Sequence, residues 1–280
     1  MSKLWIADSG STKTEWRFCE NGTELLRVIT PGINPVYQTG EEIARIVKQE
    51  LGRYLYQYAP APLYFYGAGI MDAAKAQLLQ RFLSGFFSKK IEVYSDITGA
   101  ARGLCGRSAG IACILGTGSN SCFYDGNEIR KNVPSLGYIL GDEGSGAVIG
   151  KLFLGSLLKN QLPEELKQRF LETHQLTVSK VIDNVYRKPF PNRFLASLAP
   201  HIIEQMHRYD EVRILVENAI ESFFTRNLLQ YETGRYPVHF TGSIAYTLWD
   251  VLRHIAEKHH IRIGQITASP MDGLMAYHNG

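Results

Sequence analysis

Short apolar runs alternate along the chain with longer stretches in which apolar residues recur at helical spacing. Apolar runs at 4–7, 63–66 and 111–115 each end at residues rich in glycine or hydroxyl groups, as buried strands do. Helical spacing is visible over about 41–56 and is clearest over 212–224. Strands that alternate with helices in this way predict an α/β protein built from parallel-sheet units.

The strand pattern also predicts a duplicated, two-lobed architecture. A strand, a tight turn and a returning strand occupy 4–19, and the same sequence of elements recurs at 111–124. The 280 residues are enough for two domains that each bury a core. We expect one lobe over 1–108, completed by a last helix over about 271–280, and a second lobe over 109–270 with a helical segment at about 147–235. Because no low-complexity linker separates them, we expect the lobes to share a cleft.

The composition limits which kinds of partner and which cellular compartment we expect for the protein. The 30 basic and 27 acidic residues give a net charge of +3, which argues against nucleic acid or an anionic membrane as the main partner. No apolar stretch approaches the ~20 residues of a membrane helix, and the start of the chain does not look like a signal peptide. Four cysteines without a C-x-x-C pair fit a reducing compartment. We therefore expect a cytoplasmic protein.

The two turns carry most of the chemical information. They are Asp8–Thr14 and Gly116–Ser119, and small residues there let the backbone come close to an anion while amide and hydroxyl groups donate to it. Either turn alone is equally well explained as a hairpin turn, but the repetition favours polyphosphate binding. On that interpretation Asp8 holds Mg²⁺ through water. Lys13 either adds positive charge to the site or is simply solvated.

Carboxylates near two further helix starts have both a local and a functional interpretation. Asp96 follows a strand and is either a helix N-cap or a base that accepts a proton from a substrate hydroxyl. In the segment 141–146, Asp142 and Glu143 either cap a helix and complement its dipole or present a carboxylate to sugar hydroxyls. Residues 134–137, which precede this segment, would form part of the same wall of the sugar site. Asn34 lies in a Pro/Gly turn, where asparagine is expected for local reasons.

Five motifs in order resemble one known family. They are Asp8–Thr14, Gly116–Asn120, Gly141–Ser145, Thr241–Ser243 and Pro270–Gly273. Together they resemble the BadF/BadG/BcrA/BcrD ATPase family, and within it the N-acetylglucosamine kinases, over nearly the whole chain. The resemblance implies the two-lobed actin/hexokinase-like ATPase fold, a ribonuclease H-like duplication with a helical elaboration in the second lobe. It also implies ATP and Mg²⁺ as cofactors, an amino sugar as substrate and a homodimer as the favoured assembly.

The resemblance, together with the turns, assigns roles to individual residues. The nucleotide-binding residues are Asp8, Gly10, Ser11, Thr12, Lys13, Thr14, Gly116, Thr117, Gly118, Gly242 and Ser243. The substrate-binding residues are Asn34, Asp96, Ser119, Asn120, Ser135, Leu136, Gly137 and Asp142, with Asp96 as the base. The chain departs from the family pattern where Ser135-Leu136-Gly137-Tyr138 replaces Gly-Trp-Gly-His, so the aromatic wall of the sugar pocket is altered.

Two other functions on the same fold stay open at this stage. The first is an ATPase activator of a radical dehydratase, whose relatives hold an iron–sulfur cluster with cysteines. Here Cys105, Cys113 and Cys122 lack that arrangement. The second is a non-catalytic sugar sensor, which normally needs an appended DNA-binding segment, and the chain leaves no room for one before Leu4. ATP turnover with and without sugar separates the three functions.

Overall fold

The protein is described from a computed structural model, which covers residues 3–58, 60–87 and 89–279. In these ranges the strands are β1 (Lys3–Ser9), β2 (Lys13–Glu20), β3 (Thr23–Pro31), β4 (Leu63–Gly67), β5 (Ile91–Ser95), β6 (Gly110–Leu115), β7 (Ser119–Tyr124), β8 (Ile129–Val133), β9 (Val238–Thr241) and β10 (Ile263–Thr267). The helices are α1 (Gly40–Ile46), α2 (Gly52–Tyr58), α3 (Ala73–Leu83), α4 (Asp96–Cys105), α5 (Gly137–Leu140), α6 (Gly146–Leu158), α7 (Glu164–Thr173), α8 (Val178–Tyr186), α9 (Pro191–Ser197), α10 (Ala199–Gln205), α11 (Asp210–Arg226), α12 (Ser243–Thr247), α13 (Trp249–Lys258) and α14 (Met271–Asn279).

The chain divides into two compact units. The first unit comprises Met1–Cys113, Cys122–Lys131 and Ser269–Gly280. The second comprises Ile114–Ser121 and Asn132–Ala268. Two five-stranded sheets with helices confirm the predicted α/β fold class. The functional lobes proposed from the sequence, 1–108 with 271–280 and 109–270, stay a prediction.

The first sheet has the strand order β3-β2-β1-β4-β5. The first three strands pair antiparallel, whereas β4 pairs parallel with both β1 and β5. In this register Ser9 lies opposite Gly67, and Gly67 lies opposite Ser95. The carboxyl ends of β1, β4 and β5 therefore meet at one edge, which is where ligands bind in open α/β sheets.

The two faces of this sheet bury different cores. One face carries Trp5, Phe65 and their neighbours, which pack against apolar residues from α1, α3 and the turn between α1 and α2. The other face carries Leu4, Ile6 and Tyr66, which pack against the last helix, α14. Since side chains alternate along a strand, Asp8 lies on the same face as Leu4 and Ile6.

Close packing against α4 and an ion pair with Arg17 of β2 hold α14 over this second face. A Cβ on Gly273 would overlap the carbonyl oxygen of Gly103 in α4, so the two helices cross with their backbones nearly touching. Arg17 bonds to Asp272 at 2.5 Å and to the buried carboxylate of Glu15 at 2.7 Å. The Pro270–Gly273 motif thus ends in a structural junction between α14 and the first hairpin.

The second sheet has the order β10-β9-β6-β7-β8, with β9 and β10 parallel. Helices α6 to α11 form the predicted helical elaboration, and α11 buries the apolar stripe predicted over 212–224. The helix predicted over about 41–56 is interrupted, because the segment Val47–Leu51 winds more widely between α1 and α2. In α2, the Tyr56 side chain is 95% exposed. Among the described helices none is long and apolar enough to cross a membrane.

Candidate active site

The first predicted turn is a closed hairpin held by its own backbone and by two hydroxyls. Gly10 N–H donates to the Lys13 carbonyl at 3.0 Å, and the hydroxyls of Ser9 and Thr14 are hydrogen-bonded at 2.7 Å. Gly10, Thr12 and Lys13 are exposed. The turn therefore has a fixed shape and presents its outer surface to solvent, as the phosphate-binding prediction requires.

A neighbouring segment supports the turn from below. Gly32 N–H donates to the Thr12 carbonyl at 3.0 Å, and a Cβ on Gly32 would lie 2.5 Å from the Gly10 carbonyl oxygen. The Ser9 hydroxyl also accepts the N–H of Ile33 at 3.0 Å. Only glycine fits at position 32, because any side chain there would push this supporting segment away from the first turn.

This contact places Asn34 beside the hairpin. Its side-chain oxygen accepts the N–H of Val36 at 2.9 Å, and its own N–H donates to the Gln38 side chain at 2.7 Å. Gly69, in the turn after β4, packs directly against this carboxamide. The structure thus shows the local turn role expected of Asn34, while its contact with sugar stays a prediction.

Asp96 lies at the carboxyl edge of the sheet but is not the helix cap considered for it. Ser95 is the N-cap of α4, and its hydroxyl accepts the N–H of Thr98 at 3.3 Å. Asp96 is the first residue of α4, and its carboxylate accepts the N–H of Ile97 at 2.7 Å. Because Ser95 takes the capping role, the second oxygen of Asp96 is not needed for it.

The charge of Asp96 affects the carboxyl of Asp8. Burial, together with the charges of Asp96 and Glu15, raises the pKa of Asp8 to about 7 against the lowering effect of Lys13. Burial also raises the pKa of Asp96, against the lowering effect of the N–H of Ile97. Carboxyls with raised pKa values are typical of functional sites, where a bound cation or a proton offsets their charge.

This carboxylate arrangement fits Mg²⁺ that is bound mostly by water and substrate. Among the described residues, no group of three or more His, Cys, Asp or Glu side chains could hold a metal on its own. Mg²⁺ typically uses one or two carboxylates together with nucleotide phosphates rather than an all-protein cage. Asp8 supplies a hard oxygen donor at the sheet edge, and its raised pKa would fall beside a cation.

The second turn, in the other unit, is built in the same way. Gly116 N–H donates to the Gly118 carbonyl at 2.9 Å. The carbonyls of Gly116 and Thr117 accept the N–H groups of Gly146 and Ala147 at 2.8 and 3.1 Å. The start of α6 thus holds the turn from its carbonyl side.

The turn after β9 lies against the same strand end. Gly242 has φ +112°, and a Cβ there would overlap the carbonyl oxygen of Leu115, directly before the second turn. Ser243, which begins α12, is exposed. The second turn and the predicted nucleotide-binding residues Gly242 and Ser243 are therefore neighbours within one unit.

Asp142 connects the segment 141–146 to the second turn. Its side-chain oxygen accepts the N–H of Ser119 at 3.1 Å, and its own N–H donates to the Ser135 carbonyl at 2.8 Å. The capping role considered for Asp142 is wrong, because Ser145 caps α6 by accepting the N–H of Val148. The predicted sugar-side residues Ser119, Ser135 and Asp142 thus come together in the second unit.

The remaining predicted sugar-side residues lie on the adjoining segments. Asn120 accepts hydrogen bonds from the N–H of Ser121 and from the Asn132 side chain, both at 2.9 Å. Leu136 and Gly137 have positive φ values of 58° and 72° and begin the short helix α5. The Leu136 side chain is 60% exposed.

Sequence reasoning missed residues that support this site from far along the chain. Arg226 and Asn227, at the end of α11, bond to the buried carboxylate of Glu143 at 2.9 and 3.2 Å. This pairing differs from the interaction with the helix dipole that was considered for Glu143. No local pattern marks Arg226 or Asn227, because each lies more than eighty positions from Glu143.

Two five-stranded α/β sheets, each with a glycine-rich turn after a strand, define a protein of the actin/hexokinase-like ATPase class. The ROK family glucokinase from Streptomyces griseus, solved with glucose and AMPPNP, shares this fold with a TM-score of 0.63 at 16% identity, over 99% of this chain and 98% of that chain. The N-acetyl-D-glucosamine kinase of Dictyostelium discoideum is 26% identical over 265 residues, covering 84% of this chain and 83% of that protein.

A Porphyromonas gingivalis protein, provisionally named as an N-acetylglucosamine kinase, is 48% identical with a TM-score of 0.93, covering 99% of this chain and 98% of that chain. The chain belongs to this N-acetylglucosamine kinase-like family, which confirms the resemblance to those kinases. No family model matches the chain. Membership of the wider BadF/BadG/BcrA/BcrD family stays a prediction.

Proposed function

We propose that the protein is an ATP-dependent kinase that phosphorylates a hydroxyl of an amino sugar or related hexose, with N-acetylglucosamine or glucosamine as the first acceptors to test. The observation that carries this proposal is Asp96, a half-buried carboxylate at the carboxyl edge of the first sheet, in a chain 48% identical to a provisionally named N-acetylglucosamine kinase. A cytoplasmic location and a homodimer remain part of the proposal.

Each unit contributes recognisable parts to the reaction. In the first, the Gly10–Thr14 turn would donate N–H and hydroxyl groups to phosphate oxygens, and Asp8 would hold Mg²⁺ through water. In the second, the Gly116–Gly118 turn would donate to phosphates, and Gly242 with Ser243 would lie beside the adenosine. Mg²⁺, when bound, supplies charge neutralisation for the phosphates.

The chemistry asks for positioning and one proton acceptor. Asp96 would accept the proton of the attacking sugar hydroxyl while the hydroxyl oxygen bonds to the γ-phosphorus and the bond to the ADP oxygen breaks. A raised pKa suits this base, because a general base is most effective when its pKa lies close to the pH of the reaction. Asn34, Ser119, Asn120 and Asp142 would orient the sugar, with Ser135, Leu136 and Gly137 in the adjoining wall.

The alternative of a dehydratase activator is not favoured. An iron–sulfur cluster needs accessible thiolates, but Cys19, Cys113 and Cys122 are buried. Burial also raises the pKa of Cys105 and Cys122 to about 12, so these thiols stay protonated at neutral pH. A sugar sensor without turnover remains distinguishable by assay.

A coupled ADP-release screen tests the function. Wild-type protein with Mg²⁺ and ATP is assayed with glucosamine, N-acetylglucosamine, N-acetylmuramic acid and glucose, with a sugar-free reaction as the control. We expect ADP release to depend on an added sugar and to be fastest with one of the first two. ADP release that no sugar increases would contradict a kinase.

A further inference from the structure

Glu143 is a buried acid whose two oxygens are both taken by the end of one helix. One oxygen lies 2.9 Å from the Arg226 guanidinium and the other accepts from the Asn227 side chain at 3.2 Å. Glu143 and Asn227 are buried, whereas the Arg226 side chain is 63% exposed. These contacts hold the Glu143 carboxylate against the end of α11, although Glu143 lies next to Asp142 in the chain.

The residue after Glu143 is held by the same helix. Gly144 has φ +71°, and a Cβ there would lie 3.2 Å from the Cβ of Phe223 and 3.5 Å from the Ala219 carbonyl. Two consecutive residues of the segment 141–146 therefore rest on α11, one through charged hydrogen bonds and one through close backbone packing. The segment has little freedom on that side.

Asp142 directly precedes these two residues and has φ +52°, a left-handed conformation that aspartate tolerates better than most residues. In that conformation its side chain accepts the N–H of Ser119 while its own N–H donates to the Ser135 carbonyl. Its carbonyl accepts the N–H of Ser145 at 3.1 Å. Because Glu143 and Gly144 follow at once, their contacts with α11 limit how far the backbone at Asp142 can move.

We propose that Glu143 is a positioning residue, which binds Arg226 and Asn227 so that Asp142 is oriented for the acceptor sugar. The proposal rests on the proposed function only where it names the sugar as the ligand of Asp142. Arg226 is exposed, so solvent screens its charge and its pairing with Glu143 adds little to the free energy of unfolding. We infer that its role is to orient Glu143. Loss of Arg226 should therefore loosen the segment 141–146 without unfolding the protein.

The test replaces Arg226 and compares a matched position on the same helix. Arg226→Met keeps the apolar stem and removes the guanidinium. Arg213→Met is the control, since Arg213 also lies on α11 but its guanidinium pairs with Asp210 and Glu217 of that same helix. Amide hydrogen exchange is followed at Ser119 and over 141–146, and steady-state kinetics are measured for sugar and ATP separately.

We expect Arg226→Met to speed exchange at these amides, and to raise the sugar KM, by about two- to fivefold, the equivalent of one solvent-exposed ion pair. The ATP KM should stay unchanged, and Arg213→Met should change neither. Glu143→Gln should add little to Arg226→Met, because the two act through one contact.

Equal exchange and kinetics in the two arginine variants would overturn the proposal. So would a parallel rise of both KM values with a lowered melting temperature, because that indicates a general structural role. If no sugar supports turnover by the wild type, the proposed function fails, and hydrogen exchange alone still decides whether Glu143 holds the segment.

Discussion

At the scale of single residues, the half-buried carboxyl of Asp8 has the largest consequence. Its pKa of about 7 lies far above the ordinary 3.8 because burial and the charges of Asp96 and Glu15 disfavour ionisation. The folded protein therefore holds a proton on Asp8 between about pH 4 and pH 7, whereas the unfolded chain releases it. The free energy of unfolding must consequently fall as pH rises through this window.

The change Asp8→Asn should remove this pH-dependent loss. Without nucleotide, we expect the variant to exceed wild type in free energy of unfolding at pH 8, and this advantage to be smaller at pH 5 by about 1–3 kcal/mol. Urea denaturation at both pH values measures it, with Asp72→Asn at the exposed cap of α3 as the control. A difference between Asp8→Asn and wild type that does not change with pH would contradict the assignment.

Residues at strand ends were the most predictable part of the site. Asp8 and Asp96 follow apolar runs, and a parallel sheet brings such ends to one edge, as the register shows. Cap identities were harder, because Ser95 and Ser145 are as good caps as the neighbouring aspartates. The partners of Glu143 could not be predicted, because pairing across 84 positions leaves no local pattern.

At the scale of elements, the crossing of α4 and α14 depends on two glycines. A Cβ on Gly103 would lie 2.6 Å from the Pro270 carbonyl oxygen, and one on Gly273 would overlap the carbonyl of Gly103. Since α4 begins with Asp96, this crossing supports the helix that carries the proposed base. The Arg17–Asp272 bond adds a second attachment of α14, in this case to β2.

The change Gly273→Ala should push the two helices apart. We expect it to lower the free energy of unfolding by about 2–4 kcal/mol, because the added methyl group meets backbone that cannot move aside. The matched control is Gly155→Ala in α6, where a Cβ meets no atom within 4 Å. That variant should be stabilised by about 0.5–1 kcal/mol.

Denaturant unfolding of both variants measures the two effects. A loss of the same size in both would show that glycine at 273 is not needed for close approach. Helix position itself was predictable where an apolar stripe is long, as in α11. Helix position was less predictable over 41–56. The apolar stripe there continues through Val47–Leu51, but the backbone of that segment winds more widely than an α-helix.

At the scale of the whole molecule, order along the chain carried the fold prediction. The motifs lie in sequence within two units, and the likeness to the Porphyromonas gingivalis protein covers 99% of this chain. Each glycine-rich turn alone is ambiguous, because any hairpin favours such residues. A local explanation does not predict that such a turn occurs twice, each time after an equivalent strand. The identity of the sugar could not be predicted, because Ser135, Leu136 and Tyr138 depart from the family pattern.

The most direct test of the central claim compares sugar-dependent ADP release by wild type and Asp96→Asn, with Mg²⁺, ATP and N-acetylglucosamine in excess. We expect the substitution to lower kcat by about 10²–10⁴, the usual contribution of a positioned base, and to leave the ATP KM unchanged. An unchanged kcat, or ATP hydrolysis that ignores the sugar in both proteins, would contradict phosphoryl transfer with Asp96 as the base.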